Sequence, residues 1–288
     1  MKRILPFMIL ASLFCSVSFA SEWKSPADLA CGLPPDAVVS LENKKDKTPQ
    51  DIYMLTIIYY REFQRSKLKK LFQDHEKQAP AGPEMKLLAG IVLMRDHRHQ
   101  ESREVLTGVA KTHPDFYPAQ TTLAHLAYLQ KDFDRSYRIA RQMIEKKKEL
   151  SRFHLALCLM LATGAQGAIT KKSMLRAIPA YFEVNRYLKE AQKQMPDSAE
   201  VLYAVGSYYL LMPAIVGGDL DRAIFLLERS RRLTPLNPGV YVRLAQAYRA
   251  RGDAAASEQN IARAIELDPH DELLQDDLSG KKDFLDVP

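Results

Sequence analysis

The sequence predicts an all-α protein in which short helix pairs stack into a solenoid. The main observation is a pattern of small and large residues that recurs every 34 residues between positions 49 and 271. Most of these units also carry a proline near their end, and proline stops a helix because it lacks the backbone donor and clashes with the preceding turn. An apolar stretch precedes the repeats and predicts export.

The first twenty residues have the three parts of a secretory signal. Lys2 and Arg3 precede an apolar run at 4–20, which ends in the small-x-small pattern before Ala20. We therefore expect a signal peptide at 1–20, cleavage near Ala20, and a periplasmic or secreted mature chain. Cys15 follows a bulky residue, which argues against a lipoprotein, and the apolar run is at the short limit for a spanning helix of about 20 residues. Stable membrane insertion is not expected.

The clearest repeat unit covers residues 238–271. Its spaced positions are Tyr241, Leu244, Ala245, Tyr248, Ser257, Ile261, Ala264 and Pro269. This spacing resembles the tetratricopeptide repeat (TPR), in which an aromatic-x2-Leu-small-x2-Tyr segment precedes small-x3-aromatic-x2-Ala and then proline. The resemblance implies a helix-turn-helix in each unit and a solenoid of stacked units.

The same register divides most of the chain into about six units. They are 49–82, 83–116, 117–150, 151–198, 199–237 and 238–271. Units 151–198 and 199–237 are expanded, and we expect their extra residues in connectors between the two helices, at 162–178 and 212–219. Residues 21–48 carry prolines and a charged run, and are predicted to be a linker or an irregular N-terminal cap.

Residues 272–288 are predicted to be a C-terminal cap and tail. Leu273, Leu274 and Leu278 are expected to face inward, and the acidic residues at 271, 272, 276 and 277 to face water. Within the units, one position needs a small residue so that two helices can approach closely. Its occupants are Gly90, Ala124, Cys158, Gly206 and Ala245. Whether Cys158 forms a disulfide with Cys31 stays open, because export permits one but sequence separation says nothing about distance.

The sequence predicts no catalytic or cofactor motif. His97-x-His99-x-Glu101 has metal-binding residue types, but the register places it in a solvated turn, so no metal site is predicted. Gly164 to Ser173 lacks the glycine spacing and the preceding strand of a phosphate loop. No Gly-x-Ser-x-Gly or His-Glu-x-x-His pattern occurs. We predict a non-enzymatic protein without a cofactor.

The segment from Met212 to Asp219 contains a proline followed by Gly217, Gly218 and Asp219. The proline should end one helix, the glycines permit positive φ, and Asp219 can cap the next helix. This connector also resembles that of the periplasmic T-component proteins of tripartite ATP-independent (TRAP) transporters. That resemblance implies a transporter or cell-envelope association, although this chain lacks their lipoprotein cysteine.

A protein or peptide partner is the predicted ligand, and the concave face formed by the first helix of each unit is the predicted surface. The net charge of +6 is only mildly basic, so nucleic acid is not expected. Aromatic and arginine side chains commonly anchor interfaces. The predicted binding residues are Tyr53, Tyr60, Arg61, Leu87, Met94, Arg95, His125, Tyr128, Tyr203, Gln246 and Arg249. The alternative is a carrier that binds a small organic or lipid-like ligand in the solenoid cavity.

Overall fold

The computed structural model describes residues 25–76, 82–171 and 174–284, and these are helical, without a strand among them. This confirms the predicted fold class. The predicted signal peptide at 1–20 and the last four residues of the tail lie outside the described residues, as does Pro80, the closing proline of the first unit.

Two short helices precede six helix pairs, and one helix follows them. The helices are α1 (Pro26–Gly32), α2 (Pro35–Asn43), α3 (Pro49–Arg61), α4 (Arg65–His75), α5 (Pro83–Arg95), α6 (His99–Thr112), α7 (Tyr117–Leu129), α8 (Phe133–Glu145), α9 (Arg152–Thr170), α10 (Met174–Gln194), α11 (Ala199–Leu211), α12 (Leu220–Leu233), α13 (Pro238–Arg251), α14 (Ala254–Leu267) and α15 (Glu272–Ser279). One helix pair therefore lies in each range that the sequence register delimits.

Two first helices begin with a polar cap followed by proline. Thr48 caps α3 in a capping box with Asp51, and proline occupies the first helical position. Asn237 caps α13 with its side chain, again before a proline. Proline fits there because its missing N–H would have no partner inside the helix.

The turn inside the unit repeats with the 34-residue period. Phe63, His97 and Lys131 adopt left-handed φ values of 57°, 58° and 62°. Each is the fifteenth residue of its unit, the position that Gly252 occupies with φ 87° in the last unit. Non-glycine residues rarely adopt this conformation, so three of them at one repeat position mark a turn whose geometry the packing of the unit imposes.

The small-residue positions do bring helices together. A Cβ built on Gly206 would lie 2.9 Å from Cγ of Leu227, and one on Gly90 would lie 2.6 Å from a methyl carbon of Leu106. The corresponding Cys158 is fully buried. Cys158 and Cys31 are both free thiols, so the question of a disulfide is answered in the negative for this structure.

Two segments are more helical than the sequence analysis expected. Residues 21–48 hold two helices in their described part, and α1 packs on α3 and α9 with Ala27 fully buried. The extra residues of the fourth unit do not form a connector over 162–178, because they lengthen α9 and α10 to 19 and 21 residues. By length and composition α9 could cross a membrane, but about two thirds of its apolar stretch is buried in the protein, as in a core helix.

The segment at 212–219 follows the expectation more closely. A 3-10 turn at Ala214–Val216 is followed by Gly217 with φ 100°. A Cβ on Gly218 would lie 1.8 Å from the carbonyl oxygen of Met212, so only glycine fits. The Asp219 side chain then accepts a hydrogen bond from Arg222 N and caps α12.

The acidic residues of α15 do not face water as predicted. Asp276 is 3% exposed, whereas Leu278, expected to point inward, is 54% exposed. Leu274 is fully buried as expected. The reason lies across the solenoid, where basic side chains of the second and third units meet this helix.

Candidate functional site

The concave side of the solenoid holds the chain's own C-terminal segment, defined here as residues 268–284. Arg65, just after the first turn, forms an ion pair with Asp268, which is 203 residues away in sequence. Lys131 Nζ lies 3.0 Å from Asp276 Oδ1 and 2.8 Å from Asp283 Oδ2. Turns of the first and third units therefore hold both ends of the C-terminal segment.

Phe284 anchors the end of this segment. Its side chain is 3% exposed, and its ring centroid lies 5.5 Å from that of Tyr128 and 5.7 Å from that of Phe133. Its backbone N donates to Asp276 Oδ2 at 3.0 Å, and its carbonyl oxygen accepts from Arg243 Nη2 at 2.7 Å. An aromatic side chain held by both ring packing and paired backbone groups is a well-defined anchor.

Asp277 is hydrogen-bonded to side chains of the last repeat. Gln246 Nε2 donates to Asp277 Oδ1 at 2.9 Å, and Arg249 Nη2 donates to Oδ2 at 3.0 Å. Burial would raise the pKa of Asp277, but the hydrogen bonds from Arg249 and Gln246 outweigh it and hold the pKa below its ordinary value. Ionised Asp277 is therefore the form that this site stabilises.

A second cluster lies beneath the segment, on the inner helices of the first three units. Tyr60 is 5% exposed, and its hydroxyl is hydrogen-bonded to His125 Nδ1. The Arg95 guanidinium lies 4.8 Å from the Tyr60 ring centroid and 4.0 Å from that of Phe63, and donates to the Tyr60 carbonyl oxygen at 2.9 Å. Burial, with a further contribution from Arg95, lowers the pKa of His125 to about 3, so this histidine is neutral.

Arg61 joins the first unit to the fifth. Its Nε and Nη2 donate to the two carboxylate oxygens of Glu200 at 2.6 Å and 3.2 Å. Burial opposes the charge, but Glu200 outweighs it and raises the pKa of Arg61. This bidentate pair connects helices that are far apart in sequence. Arg61 therefore holds the first unit against the fifth.

The predicted binding residues thus fall into three groups. Tyr53, Leu87 and Met94 are core residues with 7%, 1% and 1% exposure. Tyr60, Arg61, Arg95 and His125 lie in the inner polar layer just described, whereas the half-buried Tyr203 packs against the core of the fifth and sixth units. Tyr128, Gln246 and Arg249 contact the C-terminal segment directly. That any of them binds a partner stays a prediction.

Sequence reasoning missed Arg65, Lys131 and the whole C-terminal segment as parts of the groove. One signal was present: non-glycine residues occupy the turn position that Gly252 fills in the last unit. Lys131 and His97, at two of these turns, contact the C-terminal segment. The acidic pattern of the segment was visible too, but it suggested solvent rather than a basic groove.

The histidine pair also finds a partner in the C-terminal segment. His97 Nδ1 and His99 Nε2 each lie 2.9 Å from Glu272 Oε1. Glu101, grouped with them by sequence, instead pairs with Arg98 in solvent. Hydrogen bonds to Asp268 and Glu272 raise the pKa of His97 to about 9. Burial opposes ionisation of Glu272, but the two histidines outweigh it and lower its pKa to about 2.

Comparison with known proteins places the repeat. Residues 217–278 match the family profile described as tetratricopeptide repeat. A thermophilic TPR protein from Thermus thermophilus superposes with a TM-score of 0.55 at 18% identity, over 69% of this chain and 98% of that one. The chain has the TPR fold. The APC/C hetero-tetramer Cut9–Hcn1 gives a TM-score of 0.55 at 15% identity, over 85% of this chain and 45% of that one.

One curated relative shares a short stretch with this chain. Cellulose synthase operon protein C of Escherichia coli strain K12 is 35% identical over 83 residues, which is 29% of this chain and 7% of that protein. The chain thus spans a small fraction of that relative. The comparisons do not support the resemblance to TRAP-transporter T-component proteins.

Two surface depressions lie away from the groove. One is lined by α10 residues that include Phe182 and Lys189, and the other lies between α2 and α3 near Leu41 and Met54. Both are open to solvent. Neither involves the C-terminal segment or the predicted binding residues.

Proposed function

We propose that this chain is an exported, non-enzymatic TPR scaffold that binds an acidic segment of a protein partner in its concave groove. The observation that carries the proposal is the way the groove holds residues 268–284. Lys131, Gln246 and Arg249 hold aspartates, and Tyr128 and Phe133 hold an aromatic ring. These contacts define the chemistry that the groove accepts: carboxylates on and just after a short helix, followed by an aromatic residue.

The C-terminal segment that fills the groove favours a protein ligand over a small molecule. Extended TPR surfaces are well suited to a segment of helix or extended chain, whose repeated side chains can meet successive units. The C-terminal segment does this with contacts to the first, second, third and sixth units. A partner segment of the same chemistry could take its place by the same contacts.

Binding in trans can be tested with the segment itself. A fluorescent peptide of residues 271–288 would be titrated into the full-length protein and into a Phe284→Ala variant of the full chain. The variant is expected to bind the peptide more tightly, because its own segment competes less well. A peptide with Asp276, Asp277 and Asp283 replaced by asparagine should bind about tenfold more weakly or worse, since groove charges lose their partners.

Charge reversal in the groove supplies the matched pair of variants. Lys131→Glu should abolish peptide binding, whereas Lys70→Glu should not, because Lys70 is exposed on α4, where it pairs with Asp74. A partner captured from periplasmic extract should be released by the peptide and lost with Lys131→Glu alone. The proposal fails if the Phe284→Ala variant is folded, has a released C-terminal segment by hydrogen exchange, and still does not bind the peptide.

A further inference from the structure

Three metal-ligating side chains meet where the second repeat touches the C-terminal helix. His97 lies in the turn between α5 and α6, His99 is the first residue of α6, and Glu272 is the first residue of α15. Their ligand atoms all lie within 4.8 Å of one another. His97 Nδ1 and His99 Nε2 approach the same carboxylate oxygen, each at 2.9 Å.

We propose that His97, His99 and Glu272 form a binding site for a divalent transition metal of the zinc class. Two imidazole nitrogens and one carboxylate oxygen are a ligand set that suits zinc and its neighbours, with a fourth position left for water. Magnesium and calcium prefer all-oxygen sites, so they are not expected to bind here.

The groups behind His97 are arranged as they are in metal sites. His97 Nε2 lies 3.2 Å from both carboxylate oxygens of Asp268 and 3.1 Å from Arg65 Nη2, and Asp268 is itself paired with Arg65. A carboxylate behind a ligating histidine fixes the ring orientation and the tautomer, and leaves the other nitrogen to face the metal. Nδ1 of His97 is the nitrogen that faces Glu272.

A hydrogen-bonded cluster alone does not account for His99. Its Nε2 is buried and lies 2.9 Å from Glu272 Oε1, but the contact lacks hydrogen-bond alignment. A buried ring nitrogen that is poorly aligned with its acceptor is unfavourable, and a metal ion shared with the carboxylate would satisfy it.

The site would join parts of the chain that are far apart in sequence. Glu272 and His97 are 175 residues apart, and Glu272 opens the helix whose aspartates occupy the groove. A bound metal would therefore hold α15 against the second repeat and slow its release. This gives a readout that is independent of any partner.

The test uses full-length protein without a polyhistidine tag, first stripped with EDTA. Zinc chloride would be titrated in calorimetry and checked by native mass spectrometry, and hydrogen exchange of residues 272–279 would be followed with and without zinc. One zinc per chain, a rise in Tm of several degrees and slower exchange in α15 are expected. Magnesium should produce none of these changes.

Variants separate this site from adventitious binding. Glu272→Gln and His99→Gln should each remove the zinc effects, whereas His113→Gln should keep them, because His113 lies at the other end of α6 and bonds Thr112. Asp268→Asn should weaken zinc binding by about 10–100-fold through loss of the carboxylate behind His97. Helix content in EDTA shows whether each variant folds, and Asp268→Asn and His99→Gln give two independent chances of a folded variant.

The proposal is overturned by either of two results. One is the absence of stoichiometric zinc binding to the wild-type chain. The other is zinc binding of equal affinity by the wild type and a folded His99→Gln variant, which would place the metal elsewhere.

Discussion

Replacing Phe284 with alanine should release the C-terminal segment from the groove. The ring is 3% exposed and packs against Tyr128 and Phe133. Loss of an enclosed phenylalanine side chain costs about 3–5 kcal/mol. We expect the lower end, about 3 kcal/mol, because a site near the chain end can relax. Backbone hydrogen bonds to Asp276 and from Arg243 would remain, but without the ring they become accessible to water.

Hydrogen exchange of residues 272–284, followed by mass spectrometry, measures this release directly. Exchange there should accelerate by about two orders of magnitude, since about 1.4 kcal/mol is a factor of ten. Helices α3–α8 should exchange at unchanged rates. Phe182→Ala is the matched control, because Phe182 is 69% exposed on α10 and contributes little burial. Equal exchange of residues 272–284 in Phe284→Ala and the wild type would refute the role assigned to Phe284.

Three further changes test other parts of the structure. Gly206→Leu should lower the free energy of unfolding, measured in urea, by about 1–3 kcal/mol or more, because even a Cβ there would lie 2.9 Å from Leu227. Wild-type stability in this variant would contradict the close approach of the two helices. Tyr60→Ala should lower the free energy of unfolding by about 3–5 kcal/mol, as expected for a core substitution. Unchanged stability would show that Tyr60 is instead an exposed residue of the groove surface. His97 gains its partners only on folding, which raises its pKa from 6.5 to about 9. The contribution of His97 to the free energy of unfolding is therefore complete below about pH 6.5 and is lost as the pH rises through about 9. In EDTA, His97→Gln should flatten the pH dependence of the unfolding free energy over that window. Identical pH profiles of variant and wild type would exclude this ion pair.

The repeat architecture was predictable because its information is local. A proline at the start of a helix, a small residue where helices cross, and a proline or capped turn at the end each act within a few residues. The register therefore located the helix pairs. The register could not predict the lengths of α9 and α10. Their extra residues have good helix-forming composition, and nothing in the repeat pattern requires a break in the helix.

The groove residues were harder to assign because their environment depends on the superhelix. Whether the first helix of one unit faces solvent or another part of the chain follows from small rotations accumulated over several units. Tyr60 and Arg61 illustrate this. Both occupy first-helix positions and have the residue types of an interface. Yet the Tyr60 hydroxyl is hydrogen-bonded to His125, and Arg61 is paired with Glu200 in the fifth unit.

The acidic C-terminal helix shows why composition alone misassigns a surface. Acidic residues on a terminal helix normally face water, so Asp276 and Asp277 were expected there. Their carboxylates are buried because Lys131, Gln246 and Arg249 offer them charge-assisted or amide hydrogen bonds in the groove. Complementary charge on a residue more than a hundred positions away, as at Lys131, is a property of the fold.

The proposed partner must compete with a segment that is part of the same chain. A tethered segment experiences an effective concentration of the order of millimolar, so an external segment with the same contacts would displace it poorly. A partner therefore needs contacts that the C-terminal segment lacks, or conditions that weaken the docked state. When the groove of Phe284→Ala is open, its peptide affinity divided by that of the wild type is the reciprocal of the fraction of wild-type chains whose groove is open. If zinc binds at His97, His99 and Glu272, it should lower that fraction in the wild type, and the same ratio should then increase with zinc concentration.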